Sequence, residues 1–168
     1  MNIFFLDRDP VTAAQYHCDK HVVKMCVETA QIVCTAASLI GLGNQEYKST
    51  HVGHPSVRWA AEHVRNLRWT VELGLALGKE YTHRYGRVHK SAEVVDRFAE
   101  ANPWLYETEG SYSDPPMCMP DDVKRDSVVE AYRQYYVVHK KDMLTYTNRE
   151  LPPWLSSFHL AVAKTKKI

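Results

Sequence analysis

The sequence has few glycines and no excess of charge of either sign. Seven glycines lie among 168 residues, and none belongs to a GxxxxGK[ST], GxGxxG or GxSxG motif. The common nucleotide hydrolases, dinucleotide-dependent oxidoreductases and α/β-hydrolases therefore lack motif support. Lysine plus arginine total 21 and aspartate plus glutamate total 20, which gives a net charge of +1. This balance disfavours a protein that holds duplex DNA mainly by bulk charge.

Long apolar runs and paired cysteines are also missing. No apolar run approaches the ~20 residues that span a bilayer, and the start of the chain lacks the basic region of a signal peptide. The four cysteines form no CxxC pair, and three of them are spaced eight residues apart in one predicted helix. We therefore expect small, mostly buried thiols, no membrane partner and a cytoplasmic location.

Helical periodicity dominates the first quarter of the chain. Residues 3–6 are an apolar lead-in, and from residue 10 to about residue 40 apolar side chains recur at steps of three and four. Asp9 is the expected N-cap. Because about 30 residues is long for one helix, we expect a break near residues 17–20, with Asp19 as a second cap.

Three further helices are predicted from caps and periodicity. One runs from His54-Pro55 to about Tyr85, and a shorter one begins at a Ser91 cap. A fourth opens with the capping box Ser127–Glu130 and continues to about Tyr146. No segment shows the sustained alternation of a strand.

These elements predict an all-α fold, a compact single-domain helical bundle of four to five helices that spans residues 1–168. Residues 102–126 hold four of the eight prolines outside any periodic segment, as a Pro-rich loop. Loops of this length inside a small domain tend to be functional. Residues 154–160 are predicted to form a last turn, and residues 161–168 a basic tail.

Nine histidines, ten tyrosines and four tryptophans supply side chains that stack, titrate and hydrogen-bond. The first helix carries His17, His21, Lys24, Glu28 and Gln31 at positions i, i+4, i+7, i+11 and i+14, which form one face. This face is either solvated or the polar wall of a ligand pocket. A zinc site with His51 and His54 is a third interpretation, and it is not favoured because no tight Cys/His cluster exists.

Aromatic and basic residues elsewhere complete a candidate nucleotide pocket. Stacking on a base is assigned to Trp59, Tyr81 and Tyr85, and phosphate contacts to Lys24, Arg58 and Arg84. Hydrogen bonds to the polar edges of the ligand are assigned to His17, His21, His54 and Asn66. The alternative for each group is ordinary packing or a solvated helix end.

The residues also resemble known families. The segments Ile3-Phe-Phe-Leu-Asp-Arg-Asp-Pro10 and Ala13-Ala-Gln-Tyr-His-Cys-Asp-Lys-His-Val-Val-Lys-Met25 look like those of a family of small phage proteins. The order of elements is similar, more distantly, to the phage pyrimidine-dimer DNA glycosylase (endonuclease V) superfamily. That similarity includes a His-initiated second helix and a Pro-rich loop with Met119-Pro120-Asp121-Asp122-Val123.

The second resemblance implies a particular chemistry. Its members use an N-terminal amine as nucleophile, assisted by a glutamate from the first helix region, and flip a nucleotide out of the duplex. The acidic partner here is either Asp19 or Glu28, and spacing does not choose between them. The family exposes a small residue after removal of methionine, whereas the bulky Asn2 should retain Met1.

Three functions follow as hypotheses. The favoured one is a phage protein that binds a nucleotide-type ligand without cofactor, metal or required catalysis, sequesters a host nucleotide immune signal as counter-defence in the infected cell, and forms a homo-oligomer. The alternative is a DNA N-glycosylase of the pyrimidine-dimer type, with DNA as its partner. The third is a helical interaction protein without a small ligand.

Overall fold

Helices make up most of the computed structural model, which describes residues 1–43, 45–156 and 164–167. The predicted all-α fold class is confirmed. The α-helices are α1 (Pro10–Tyr16), α2 (Asp19–Leu39), α3 (Pro55–Glu62), α4 (Val64–Tyr85), α5 (Lys90–Ala101), α6 (Val128–His139) and α7 (Pro153–Ser156). Strands β1 (Thr145–Thr147) and β2 (Lys164–Lys166) pair in parallel, with Thr145 opposite Lys164. Short 3-10 helices cover Pro103–Tyr106, Asp121–Val123 and Lys141–Met143.

The break in the first predicted helix is confirmed. The Asp9 carboxylate accepts from the Thr12 backbone N–H at 2.7 Å and caps α1, as expected. His17 leaves the helix with φ −66° and ψ 133°. The prediction of Asp19 as the second cap is wrong, because Cys18 is the N-cap residue and Asp19 is already helical. The Asp19 carboxylate binds Thr147 and a buried arginine instead.

Histidine caps explain the errors in the bounds of the second and third predicted helices. The second predicted helix breaks at His63, whose backbone is extended and whose Nδ1 accepts from the Arg65 N–H at 3.2 Å. His89, rather than Ser91, caps α5, and His54 caps α3 in the same way. A neutral imidazole nitrogen can accept this bond, but histidine is outside the usual set of N-cap residues.

The C-terminal part differs from expectation in length. Ser127 caps α6 as predicted, but α6 ends at His139 rather than near residue 146, and residues 145–147 form β1. Helix α7 covers part of the predicted last turn, and residues 157–160 lie outside the described residues. Part of the predicted basic tail is β2, and residues 161–163 and 168 are also outside the description. The described helices exceed the predicted four to five, because both long helices are broken.

Helix α2 is the central element of the core. It packs against α3, α4 and α5, and Ile3, Phe5 and Leu6 of the N-terminal segment are fully buried. By length and composition α2 could cross a membrane, with a mean hydropathy of 1.4, which corrects the expectation that no such segment exists. However, 61% of that stretch is buried inside the protein, as is typical of a core helix. The thiols of Cys18, Cys26 and Cys34 are buried and free, as predicted.

Two histidines of the predicted polar face lie in this core, so the solvated interpretation is wrong for them. The Nδ1–H of His17 donates to the Ala13 carbonyl at 2.6 Å. His21 stacks on Phe4 at a centroid distance of 4.2 Å, and its Nδ1 bonds the Tyr136 hydroxyl at 2.5 Å. Burial, the larger cause in both, lowers the pKa of His17 to about 4 and that of His21 to about 3. Both are therefore neutral at pH 7.

These two histidines predict loss of stability in mild acid. In the unfolded chain each would protonate near pH 6.5, whereas the folded state resists protonation until about pH 4 or below. The free energy of unfolding should therefore fall as pH drops below about 6.5, by roughly 3 kcal/mol per histidine at pH 4. Denaturant unfolding at a series of pH values measures this dependence. His21→Gln should remove about half of this loss, because His17 remains. The exposed His83→Gln should leave the loss unchanged, and a flat wild-type profile would contradict the prediction.

Candidate functional site

The N-terminal amine lies beside the carboxylate of Glu28. The Met1 nitrogen is 3.6 Å from Glu28 Oε1, and the Asn2 backbone N–H donates to Oε2 at 3.1 Å. The Met1 side chain is only 1% exposed, whereas the residue as a whole is partly exposed. Its accessible surface therefore belongs to main-chain atoms, which include the amine. An N-terminal amine beside an acceptor carboxylate is equipped for nucleophilic chemistry.

Lys24 shares this carboxylate. Its Nζ is 3.2 Å from Glu28 Oε1, one helical turn earlier on α2, and its side chain is 61% exposed. Glu28 itself is almost buried. One carboxylate thus faces two cationic amines, of which Lys24 extends into solvent. The site combines a proton acceptor with an exposed positive charge.

Asn2 fixes the terminus from the opposite side. Its Nδ2 donates to the Cys118 carbonyl at 2.9 Å, and its Oδ1 accepts from the Tyr132 hydroxyl at 3.1 Å. The same Tyr132 oxygen accepts from the Cys118 N–H at 3.3 Å. The Pro-rich loop and α6 therefore form one wall of the site. Sequence reasoning missed Tyr132 and Cys118 here, since nothing in the local pattern links them to residue 2.

Two histidines approach from the loop before α3. His54 Nδ1 accepts from the Ser56 N–H at 3.1 Å. Partial burial lowers the pKa of His54, the charges of the amine and of His51 lower it further, and Glu28 opposes them. His51 has a φ of +51°, an uncommon conformation for a residue other than glycine, and its carbonyl accepts from the His54 N–H at 2.8 Å. Strained backbone of this kind concentrates at functional sites.

Arg58 and Trp59 line a neighbouring groove. It has a volume of about 500 Å³ and is bounded by Pro55, Glu62, Asp114 and Pro116. Arg58 is exposed, whereas Trp59 is buried and its Nε1 donates to the Ser113 carbonyl at 3.1 Å. Asn66, also predicted as a ligand contact, is buried and donates to the Trp59 carbonyl at 2.9 Å. Its side chain joins α4 to α3 and to the loop.

The predicted phosphate and base contacts at the end of α4 belong to the interior. Arg84 is fully buried between Glu80, at 2.7 Å, and Asp19, at 2.9 Å. Tyr81 is buried, and the Tyr85 hydroxyl donates to the Asp19 carbonyl at 3.4 Å. Burial and then the Asp19 charge raise the pKa of Tyr85 to about 12. These side chains bind one another rather than facing a cavity.

The ten predicted ligand residues thus fall into separate environments. Lys24 and His54 lie at the amine, and Arg58 and Trp59 lie at the adjacent groove. The other six are buried or half-buried within the fold: His17, His21, Asn66, Tyr81, Arg84 and Tyr85. Within the described part of the chain, no three histidine, cysteine, aspartate or glutamate side chains gather as a metal site would require.

The N-terminal amine next to a helical glutamate pairs a candidate amine nucleophile with a proton acceptor. Residues 1–94 match the family described as pyrimidine dimer DNA glycosylase, and the chain belongs to this family. The resemblance identified from the sequence is therefore confirmed. No curated protein and no solved structure matches the chain. The matched region includes Met1, Lys24, Glu28 and His54.

The contacts of the two candidate acids predict that their substitution lowers the free energy of unfolding by different amounts. Asp19→Asn should lower the free energy of unfolding by about 2–4 kcal/mol, because it removes a charge that compensates the buried Arg84. Glu28→Gln should cost less than about 1 kcal/mol, since a Gln oxygen can still accept from Asn2. Denaturant unfolding curves of both variants measure this. Equal losses, or a larger loss for Glu28→Gln, would contradict the assignment of Asp19 to structure.

Proposed function

We propose that the protein is a DNA N-glycosylase whose N-terminal amine attacks the sugar of a damaged pyrimidine nucleotide. The observation that carries the proposal is the Met1 amine 3.6 Å from Glu28, in a chain of the pyrimidine dimer DNA glycosylase family. The acidic partner is Glu28 rather than Asp19, because Asp19 is engaged by Arg84 and Thr147.

The chemistry needs one nucleophile and one acceptor. The Met1 ammonium first loses a proton to solvent, and the neutral amine then bonds to C1′ of the deoxyribose while the glycosidic bond breaks with its electron pair leaving on the base, which takes up a proton. The attached nitrogen loses one proton, and Glu28 is the group within reach to accept it. The nitrogen lone pair then expels O4′, which takes up that proton, so the sugar ring opens and a protonated imine remains. The negative charge of Glu28 also favours the cation that develops at C1′.

A net charge of +1 is compatible with DNA binding when the cations are local. Lys24 is exposed at the amine, and the Lys140 ammonium lies 4.8 Å from the centre of the Tyr135 ring. The charges of both lysines contribute to the lowered pKa of His21, after burial and His17, so both lie near this histidine. We propose that these two lysines form a positive face that binds phosphates of the DNA.

The nucleotide-sequestration hypothesis has less support. It relied on convergence of ten side chains, and several of them are buried inside the protein, among them Arg84 and Tyr81. Neither nucleotide binding nor counter-defence gains support from the family match. Homo-oligomerisation and a cytoplasmic location stay predictions.

Borohydride trapping tests the proposed chemistry directly. Wild-type protein incubated with a duplex containing a pyrimidine dimer or an abasic site should form a covalent adduct on reduction, and peptide mass spectrometry should map it to residue 1. Intact mass should also establish that Met1 is retained. Glu28→Gln should slow adduct formation by about 100-fold, the usual scale of proton-transfer catalysis.

The controls separate the amine from other groups. Glu100→Gln, an exposed carboxylate on α5, should behave as wild type, and residues added before Met1 should abolish the adduct. An adduct on Lys24, or none with either duplex, would refute the proposal.

Salt dependence tests the positive face. Lys24→Gln and Lys140→Gln should each reduce the slope of log affinity against log salt by about one unit, because each removes one phosphate contact. Fluorescence anisotropy with a labelled duplex measures the slope. The exposed Lys90→Gln on α5 is the matched control and should leave it unchanged. Unchanged slopes for both Lys24 and Lys140 would show that DNA binds elsewhere.

A further inference from the structure

His54 has a fixed tautomer at the edge of the amine site. Its Nδ1 accepts a hydrogen bond from the Ser56 backbone N–H at 3.1 Å, and a nitrogen that accepts such a bond carries no proton. The neutral ring must therefore carry its hydrogen on Nε2. Among the described residues no hydrogen bond to His54 Nε2 is found, and this nitrogen is not among the buried polar atoms that lack a partner. Nε2–H is thus an accessible donor.

The start of α3 is tied to the terminus that bears the amine. Ser56 Oγ lies 3.7 Å from Cys118 Sγ, and the Cys118 carbonyl accepts from Asn2 Nδ2 at 2.9 Å. His54 is therefore separated from residue 1 by one short chain of contacts. Pro55, the residue after His54, lines the groove together with Arg58, so the groove begins at the residue next to His54. A strand bound in this groove would lie close to His54.

The charges around His54 favour its neutral form. The amine and His51 disfavour a positive imidazole and Glu28 favours one, with partial burial as the largest effect, so that the pKa of His54 lies below its ordinary value. Protonation at Nδ1 would also break the bond from Ser56 that caps α3. At neutral pH His54 can therefore donate a hydrogen bond but brings no charge and gives up no proton.

We propose that His54 binds a phosphate oxygen of the DNA strand at the amine through a neutral Nε2–H, as a fixed, uncharged positioning donor. The inference rests on the proposed function and adds to it how the strand is aligned. A neutral donor has a distinct signature, since it strengthens binding without releasing a counterion. Its loss should weaken affinity by about tenfold, the scale of a hydrogen bond to a charged group, and leave the salt slope unchanged.

The test uses His54→Asn, because asparagine is a favoured N-cap residue and its Oδ1 can accept from Ser56, while its short side chain cannot replace Nε2–H. Affinity for a duplex with a non-cleavable abasic analogue is measured by anisotropy over a range of salt concentrations at pH about 7.5. We expect affinity to fall about tenfold at every concentration, with parallel salt lines. His89→Asn is the matched control, since His89 caps α5 through the same bond to Ser91 at 3.1 Å.

The outcomes distinguish a failure of the proposed function from a failure of the role proposed for His54. Wild type that binds no DNA overturns both the proposed function and this inference. Wild type that binds, with His54→Asn equally tight or with a shallower salt slope, overturns the inference alone, because the donor is then dispensable or charged. Should His54→Asn fold poorly, ring ¹⁵N shifts of wild-type His54 decide: a proton on Nε2 only, with a shift of that nitrogen on adding the duplex, supports the proposal, and any other result refutes it.

Discussion

The position of the first residue depends on one carboxylate in the middle of the central helix. Glu28 binds the Met1 amine and the Asn2 N–H together, and it is nearly buried when it does so. Chain termini are ordinarily the least ordered part of a domain. Here residues 3–6 are buried in the core. Burial of this apolar segment and the bonds to Glu28 therefore both hold the terminus in place. An amine nucleophile at a chain terminus keeps a fixed position relative to its substrate only if the terminus is held in this way.

A second set of charges holds the frame that carries this site. Arg84 is enclosed by Asp19 and Glu80, and Glu80 is also bound by Arg149 at 2.6 Å. Burial alone would raise the pKa of Glu80, but hydrogen bonds and charge from the two arginines outweigh it, and the pKa is lowered. Such a network stabilises only when complete, since a buried arginine with one partner missing is costly. It fastens β1, α4 and the start of α2 to each other.

Sequence reasoning predicted the parts of this molecule that depend on local pattern. The periodicity of α2, the Asp9 and Ser127 caps and the buried thiols follow from near neighbours in the chain. The break at His63 and the cap at His89 do not, because histidine caps a helix only in the right tautomer, and composition does not reveal a tautomer. The Pro-rich loop was expected to be functional, but its contact with Asn2 joins residues 116 positions apart.

The same limit applies to the candidate site, where one face of the predicted first helix held two kinds of residue. His17 and His21 are core residues, whereas Lys24 and Glu28 are on the part of the helix that the N-terminal segment reaches. Regular spacing places side chains on a face but does not say what covers that face. The covering element here is the start of the chain itself, and only the family resemblance pointed to it.

The net charge of +1 was the strongest indication in the sequence against DNA binding. This indication weakens when each charged side chain is considered together with the group that it contacts. Arg84, Arg97 and Arg8 are each paired with a carboxylate. The fields of two paired opposite charges largely cancel at a distance, so the field near the amine depends on the local arrangement of Lys24, Glu28 and the amine itself. Lys24 projects into solvent there, while the carboxylate it contacts is nearly buried. A phosphate approaching this edge meets the ammonium before the carboxylate, which a count of +1 for the whole chain does not reveal.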